Sequence, residues 1–546
     1  MKRNNVLILI ALAILFLLVR LPGLSLPYYQ DEWKTARSVE IGAVAASSLY
    51  HPPLTQLSYR AAEKIFGGAH LRLLPYLFSF LSLFLLYAVV KKRAGEYAAF
   101  LSVFLYSVSF YSVLASHMID TDGALLPFFF LLSLFCYDRW SVTDQEYRFW
   151  WRVLFGAALL AGFMVKLSFI IVLGVFIVEY ALARYGRLEK KEVTTLISSI
   201  VIFLGLSGLL LLLTKFFYPA FQLNAMVTHA LLYVHLSGRN YIQIVVQTIK
   251  ALEYLSPLLL APLILMTKEH ARSSRIFIIY LILGAIFYFI LFDFSRGALD
   301  KYLMYTIVPL VAIVGIVLSP YLVAIKKNFK GPLIVGILLS LALAALNFFH
   351  HAVFSLYPKQ EWFTRVLEGK WIFLVPFTGG SGPFGFYVSF LFIAVIFFFS
   401  FGLVILARMR VLSVQAVLIV LSIIGITYNG VFIEEYQWGR INGSAPRVLN
   451  EALAYIESHS DIQSVITYND SGTYELSHIG KYAGRFYAVP EYEESHKARF
   501  AEFKGKFLIV DIPRIYTGTY YEDFFNACAK VFEARSREIT GTIYDC

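Results

Sequence analysis

Long apolar runs separated by short basic clusters dominate this sequence and limit the folds open to it. Segments such as NVLILIALAILFLLV and FGFYVSFLFIAVIFFFSFGLVILA approach or exceed the roughly 20 apolar residues that cross a bilayer as a helix. Only 15% of the 546 residues are charged, against about a quarter in a typical soluble protein. The pattern predicts a mainly α-helical, polytopic transmembrane bundle surrounded by membrane lipids.

The basic clusters indicate how the chain threads the bilayer. Clusters such as KKR at 91–93, ARYGRLEKK at 183–191 and ARMR at 407–410 punctuate the apolar runs, and one threading places all of them on the same side. By the positive-inside rule that side is the cytoplasm. The net charge of +11 therefore reflects membrane topology and not a nucleic-acid partner. We expect a plasma (inner) membrane protein with a cytoplasmic N-terminus and an extracytoplasmic C-terminus.

This threading predicts about thirteen spans, of the length that a bilayer requires. The fifth and sixth are short and meet at Lys166, where one long helix instead would put the later basic clusters on the wrong side. The expected spans lie near residues 6–21, 71–90, 96–116, 123–138, 153–165, 167–183, 193–214, 251–267, 276–292, 303–325, 331–347, 385–407 and 411–428.

The composition changes after the last apolar run. An amphipathic helix, the strands SVITY and FKGKFLIVDIPR, and a further helix in YYEDFFNACAKVFEA indicate a small α/β domain. We therefore expect a transmembrane core over residues 1–430 and an extracytoplasmic α/β domain over 431–546. Cys136 is predicted to be a buried apolar residue, whereas Cys528 and Cys546 could pair in an oxidising compartment, although their spacing does not decide it.

Polar residues with chemical potential concentrate in the segments predicted to face outward. The first loop carries Asp31 and Glu32 in YYQDEW, and a later one carries Asp120 and Asp122 in SHMIDTDGALLPFFF. Carboxylates at helix starts often do no more than cap the helix, and aromatic residues are ordinary at a membrane interface. The junction FDFSRGALDKYLMYTIVP adds Arg296, Lys301 and Tyr302 at the membrane edge.

The combination favours a transfer reaction at the membrane surface. A carboxylate can take a proton from an acceptor hydroxyl or hold a divalent cation, so Asp31 and Asp122 are possible metal ligands. Cationic side chains can bind a leaving phosphate. Aromatic side chains can line the path of a sugar or an isoprenoid. No ligand cluster has a diagnostic spacing, so no cofactor is certain and a divalent metal ion stays possible.

The order of these motifs resembles the GT-C glycosyltransferases that use polyprenyl-phosphate sugars, above all the protein O-mannosyltransferases and lipid A aminoarabinose transferases. The matching elements are QDEW, HPPL at 51–54, IFGGAHLRLLP and TDGALLPFF, all within residues 20–140, and the last hundred residues do not join them. The resemblance implies that Asp31 is the catalytic carboxylate and that Glu32 supports it. It also implies that Asp122, or its neighbour Asp120, contacts the substrate or a cation.

The same resemblance suggests the remaining substrate contacts. His51 stands where the aminoarabinose transferases have a phosphate-contacting lysine, and His117 stands near an arginine position of the mannosyltransferases. Lys301 and Arg296 become the candidates for the lipid phosphate. Tyr29 and Tyr302 are the aromatic candidates for substrate binding.

The implied function is an inverting transfer of a sugar, hexosyl or pentosyl, from a polyprenyl-phosphate donor to a hydroxyl of an extracytoplasmic protein, lipid or glycan. The alternative is a polytopic lipid or polysaccharide transporter or flippase, in which intramembrane charges mark the path. A transporter predicts ionisable residues near mid-membrane and paired repeats. The charges of this sequence instead cluster at one surface, which favours the transferase.

Overall fold

The computed structural model describes residues 3–40, 51–140, 145–185, 189–219, 221–234, 239–293, 299–323, 329–355, 359–378, 384–515 and 518–546. The first nine α-helices are α1 (Arg3–Arg20), α2 (Asp31–Glu40), α3 (Pro53–Phe66), α4 (Leu73–Ala94), α5 (Glu96–Val108), α6 (Phe110–His117), α7 (Leu125–Trp140), α8 (Gln145–Val165) and α9 (Ile170–Ala183). The next nine are α10 (Lys190–Phe217), α11 (Leu223–Leu232), α12 (Tyr241–Leu260), α13 (Lys268–Ser273), α14 (Arg275–Ile286), α15 (Leu299–Tyr302), α16 (Ile307–Val323), α17 (Lys330–Ala345) and α18 (Lys359–Leu367).

The C-terminal part adds strands to the helices. A short antiparallel pair, β1 (Leu374–Phe377) and β2 (Phe386–Ser389), precedes the last two long apolar helices, α19 (Phe390–Arg408) and α20 (Val414–Gln437). The remaining elements are α21 (Ala445–Ser458), β3 (Val465–Tyr468), α22 (Thr473–His478), β4 (Tyr482–Phe486), α23 (Glu493–Glu502), β5 (Lys506–Val510), α24 (Tyr520–Ala527), β6 (Ala529–Ser536) and β7 (Ile539–Asp545).

The apolar helices confirm a polytopic integral membrane protein. Within the described ranges, nine helices are long and apolar enough to cross a bilayer, and the bent pair α5–α6 makes up to ten. The shorter helix α7 and the apolar segments Leu167–Ala183 and Arg275–Leu291 occupy three further predicted spans. The expected break at Lys166 is present: α8 ends at Val165, and Lys166 has an extended backbone with φ −156°.

The chain forms two compact units. The membrane unit comprises residues 1–24, 35–330 and 403–419, and the sheet unit comprises 25–34, 331–402 and 420–546. The predicted domain boundary after residue 430 stays a prediction. The two compact units are not divided at residue 430: residues 25–34 and 331–402 belong to the same unit as the C-terminal residues.

The larger sheet of the sheet unit has the strand order β4-β3-β5-β7-β6. Strand β3 pairs in parallel with both β4 and β5, whereas β7 pairs antiparallel with β5 and β6. Successive side chains of a strand point to opposite faces. Accordingly Val465 and Leu508 join one apolar cluster, whereas Ile466 and Phe507 join a second. Helices cover both clusters, which confirms the predicted small α/β region.

Local sequence signals account for two features of this region. The Ser444 hydroxyl accepts a hydrogen bond from the backbone N–H of Arg447 and so caps α21. Val448 and Ala452 then lie one helical turn apart on its buried side. Cys528 and Cys546, whose pairing the sequence left open, form a disulfide.

Candidate functional site

The membrane unit gathers two carboxylates and two lysines at the loop between α6 and α7. Asp120 pairs with Lys301, with Oδ2 and Nζ 3.0 Å apart. Asp122 pairs with Lys166, which stands at the break between α8 and α9. All four side chains are nearly buried. We call Asp120, Asp122, Lys166 and Lys301 the lysine–aspartate cluster.

The loop is held in place by its own backbone and by α3. The backbone N–H of Thr121 donates to Asp120 Oδ1 at 2.6 Å, and the Tyr59 hydroxyl donates to the Asp120 carbonyl at 2.9 Å. A Cβ at position 123 would lie 2.6 Å from the Ala115 carbonyl oxygen, so the loop needs a glycine there. The Asp-x-Asp-Gly sequence therefore fits this close turn against α6.

The cluster sets the charge state of its neighbours. Burial opposes the ionisation of Asp120, but the charges of Lys301 and Lys166 outweigh it and hold the pKa of Asp120 well below its usual range. Burial and the charge of Lys166 lower the pKa of His51 to about 3, so His51 is neutral at physiological pH. Burial raises the pKa of Asp122 in spite of its paired lysine. His51 therefore offers a hydrogen bond and not a positive charge.

An aromatic side chain lies beneath both ammonium groups. The ring centroid of Tyr302 is 4.7 Å from Lys166 Nζ and 5.4 Å from Lys301 Nζ, within the range of a cation–π contact. Tyr302 also packs against Tyr288 and Phe292, at centroid distances of 5.8 and 5.0 Å. The predicted site residues His51, Asp120, Asp122, Lys301 and Tyr302 thus come together in one unit.

The first predicted acidic pair lies in the sheet unit. Asp31 is the first residue of α2, is partly exposed, and pairs with Lys34 at 2.8 Å. Glu32 is fully buried, and its Oε2 accepts a hydrogen bond of 3.4 Å from the Tyr29 backbone N–H. The buried Tyr29 ring packs on Phe384, with centroids 4.5 Å apart. Glu32 and Tyr29 therefore fix the start of the helix that carries Asp31.

His117, a predicted site residue, lies at the end of α6. Its side chain is fully buried, its Nε2 lies 2.7 Å from the Arg20 carbonyl oxygen, and its carbonyl accepts a hydrogen bond of 3.1 Å from Arg72. A Cβ on Gly23 would lie 2.2 Å from the His117 ring, so the glycine permits this close approach. Arg296, the other cationic candidate, lies outside the described residues.

Lys166 is the functional candidate that motif matching missed. The sequence marks it only as a helix break, yet it pairs with Asp122 and contacts Tyr302. A single lysine within an apolar run is costly unless it is paired, and this was the available signal. No partner could be assigned to it, because Asp122 is 44 positions away in the chain.

The cluster holds equal numbers of lysines and aspartates. Asp120 and Asp122 are each paired with a lysine, so neither offers a free carboxylate to a dication. Within the described part of the chain, no three His, Cys, Asp or Glu side chains are grouped as metal ligands.

Comparisons with known proteins agree with this architecture. The family described as dolichyl-phosphate-mannose-protein mannosyltransferase matches residues 50–211. The crystal structure of ArnT from Cupriavidus metallidurans in the apo state is similar, with a TM-score of 0.54 and 16% identity over 98% of this chain and 97% of that chain. The same protein bound to undecaprenyl phosphate gives a TM-score of 0.53 and 14% identity over 100% and 98%. No curated protein sequence matches the chain.

These matches confirm two predictions. At such low identity the likeness to ArnT shows the fold, and it does so over nearly the whole of both chains. Together with the match over residues 50–211, it confirms the resemblance to the GT-C glycosyltransferases and the predicted fold class.

Proposed function

We propose that this integral membrane protein is a glycosyltransferase that moves a sugar from a polyprenyl-phosphate donor to the hydroxyl of an extracytoplasmic acceptor, with inversion at the anomeric carbon. Support comes from the mannosyltransferase family match over residues 50–211 and from the fold of ArnT, whose structure is known with undecaprenyl phosphate bound. The observation that carries the proposal is the lysine–aspartate cluster of the membrane unit.

The cluster has the chemistry to hold a lipid phosphate. An ammonium group has three N–H donors, so the same lysine can pair with a carboxylate and donate to a phosphate oxygen. Asp120 pairs with Lys301 and Asp122 pairs with Lys166, and these ion pairs hold the two lysines in position. We propose that these lysines bind the donor phosphate, with neutral His51 and the Tyr302 ring as further donor contacts and Arg296 as an additional cation.

The reaction proposed is a single displacement. The acceptor hydroxyl oxygen forms a bond to the anomeric carbon while the bond from that carbon to the phosphate oxygen breaks. The electron pair leaves with the polyprenyl phosphate, whose negative charge the lysines stabilise. The proton of the acceptor hydroxyl goes to the Asp31 carboxylate, the proposed general base, whose helix start is fixed by Glu32. His117 is left out of this scheme because its described contacts are with Arg20, Gly23 and Arg72.

Binding of polyprenyl phosphate to purified protein tests the donor site. Lys301→Ala removes a charged donor that is worth about 1.5–3 kcal/mol, so undecaprenyl phosphate should bind roughly ten- to a hundredfold more weakly. Lys301→Arg should retain part of the affinity. Lys91→Ala is the matched control, because Lys91 forms an ion pair of 2.7 Å with Glu96 in the same unit.

The outcomes separate the transferase from its competitor. Equal loss of affinity in Lys301→Ala and Lys91→Ala would remove the assigned role of the cluster. Movement of the polyprenyl-phosphate sugar across proteoliposome membranes, without release of polyprenyl phosphate, would support the transporter instead.

The proposed orientation places the loop at 183–191 in the cytoplasm and the C-terminal residues outside. Single cysteines at the exposed positions Lys190 and Ser458 can report it. The native cysteines should not be labelled, because Cys136 is buried and Cys528 and Cys546 form a disulfide. A membrane-impermeant maleimide should label Ser458→Cys in intact cells and Lys190→Cys only after permeabilisation; the reverse pattern would invert the topology.

A further inference from the structure

The turn that follows β3 occupies a position where α/β sheets commonly bind ligands. From β3 the chain builds β4 on one side and β5 on the other, so a topological switch point lies between the carboxyl ends of β3 and β5, next to the turn that follows β3. In open α/β sheets, ligands bind in the crevice at such a point. Asp470 lies in this turn, two residues after β3 ends at Tyr468.

Asp470 is a fully buried carboxylate that organises two partly exposed side chains. Its Oδ2 accepts hydrogen bonds from Arg485 Nη1 at 2.5 Å and from the Tyr487 hydroxyl at 2.8 Å. Its Oδ1 is also buried and has no hydrogen-bond partner in the part of the chain that the structure describes. A buried acceptor without a partner is costly, which indicates that a hydroxyl group or water completes this site.

The side chains around Asp470 lie near Asp31, the proposed catalytic carboxylate. Burial, together with the negative charges of Asp470 and Asp31, raises the pKa of Tyr487 well above its usual value, so Tyr487 keeps its hydroxyl proton. Trp33 packs edge-on against Tyr482 at a centroid distance of 5.9 Å. The Trp33 Nε1–H is buried and finds no acceptor among the described residues. The acceptor Asp470 Oδ1 and the donor Trp33 Nε1–H thus both lack a hydrogen-bond partner among the described residues.

The neighbouring edge strand is closed to an added peptide strand. Arg499 donates to the carbonyls of Arg485 at 2.8 Å and Ala483 at 3.4 Å, which are groups that strand addition to β4 would need. Gly484 permits this cover, because a Cβ there would lie 2.1 Å from Arg499 Nη2. An extended peptide therefore has no free row of carbonyls on β4 to pair with.

We propose that Asp470, Arg485 and Tyr487 form a saccharide-binding site for the acceptor, so that the accepting hydroxyl is carried by a sugar and not by a peptide. The inference rests on the proposed function and specifies its acceptor class. A sugar offers neighbouring hydroxyls that both donate and accept, which matches a carboxylate beside a guanidinium and a phenol. The negative charge of Asp470 disfavours a phosphate, and the positive charge of Arg485 disfavours a simple cation. Asp470 is a positioning residue in this scheme, whereas Arg485 and Tyr487 contact the sugar.

The test compares binding of three probes by the full-length protein in detergent. Saturation-transfer NMR would use the neutral disaccharide cellobiose, the disaccharide chitobiose and a short serine- and threonine-rich peptide. Tyr487→Phe removes one hydroxyl and should weaken disaccharide binding about five- to tenfold. Asp470→Asn should weaken it further, and thermal unfolding checks that each variant is folded. Arg447→Gln is the control, since Arg447 forms an exposed pair with Glu451 in the same unit.

The results separate this inference from the proposed function. Disaccharide binding that is equal in wild type, Tyr487→Phe and Arg447→Gln would overturn the saccharide site, and so would binding of the peptide alone that depends on Tyr487. Undecaprenyl phosphate binding should be unchanged in Tyr487→Phe, because that readout reports Lys166 and Lys301. If the wild-type protein did not bind undecaprenyl phosphate, the donor proposal would be overturned, and the disaccharide result would be unaffected.

Discussion

The acidic side chains of the two units are neutralised in different ways. In the membrane unit, Lys166–Asp122 and Lys301–Asp120 are pairs in which no side chain is more than 11% exposed. In the sheet unit, Asp470 is fully buried but its partner Arg485 is 31% exposed. A fully buried pair must be matched charge for charge, because each unpaired ion costs several kcal/mol. A half-exposed pair leaves one member able to contact a ligand.

This difference explains why we assign the units different ligands. The lysine–aspartate cluster brings two ammonium groups and an aromatic ring together beside two carboxylates, and we assign it the donor phosphate because two cations converge there. The Asp470 site combines one carboxylate with one cation and a phenol, which favours neutral hydroxyls. Three variants test this comparison, and they follow in order of decreasing expected effect.

The largest effect is expected for Asp31→Asn. The amide keeps the shape of the side chain but cannot take the acceptor proton. A positioned general base is worth about a hundred- to ten-thousandfold in rate, or about 3–5 kcal/mol of barrier. Transfer from a polyprenyl-phosphate sugar should fall by that factor, whereas undecaprenyl phosphate binding should barely change. Near-normal turnover by a folded variant would reduce Asp31 to a helix-start residue.

Lys166→Ala should show that the membrane-unit pair is structural as well as functional. Removing one partner of a buried ion pair leaves Asp122 uncompensated, which costs about 3–5 kcal/mol. Thermal unfolding in detergent should reveal a large loss of stability, and Asp122→Asn in the same chain should restore much of it without restoring donor binding. A loss as small as that of Arg447→Ala, at an exposed pair worth about 0–1 kcal/mol, would contradict the burial argument.

The sheet unit should respond to pH through Asp511. Burial raises the pKa of this carboxyl to about 6, although Arg514 lies nearby. The unfolded value is about 3.9, so the folded state binds the proton more tightly. The contribution of Asp511 to stability should therefore be greatest below about pH 4 and fall by about 2–3 kcal/mol as pH rises to about 6. Unfolding of Asp511→Asn should lack this component; an unchanged pH profile would show that Asp511 ionises freely.

The sequence located several functional candidates through local signals. Asp31, Asp120 and Asp122 stood out because acidic residues next to apolar runs at one membrane surface are unusual. The break at Lys166 followed from charge bias, because a continuous helix would have put basic loops on the wrong side. The outer strands and helices followed from alternating and helical apolar patterns.

Pairings between distant positions were beyond these signals. Lys301 was chosen as a phosphate ligand, but nothing in the chain marks Asp120 as its partner. Asp470 was missed entirely, because its importance depends on Arg485 and Tyr487 reaching one carboxylate from the end of a neighbouring strand. His117 was chosen by motif position, which stays a prediction, and the packing of Arg20 and Gly23 around it could not be foreseen from the sequence.

The sequence by itself determined that this chain is a polytopic membrane protein with a C-terminal α/β region and the motif order of a GT-C glycosyltransferase. These properties depend on local length, hydrophobicity and charge, which can be read along the chain. The tertiary structure alone decided which charges neutralise each other and which buried polar atoms, within the described ranges, lack a hydrogen-bond partner. That division has a physical cause: burial and ion pairing depend on distances between segments far apart in sequence, and only folding sets those distances.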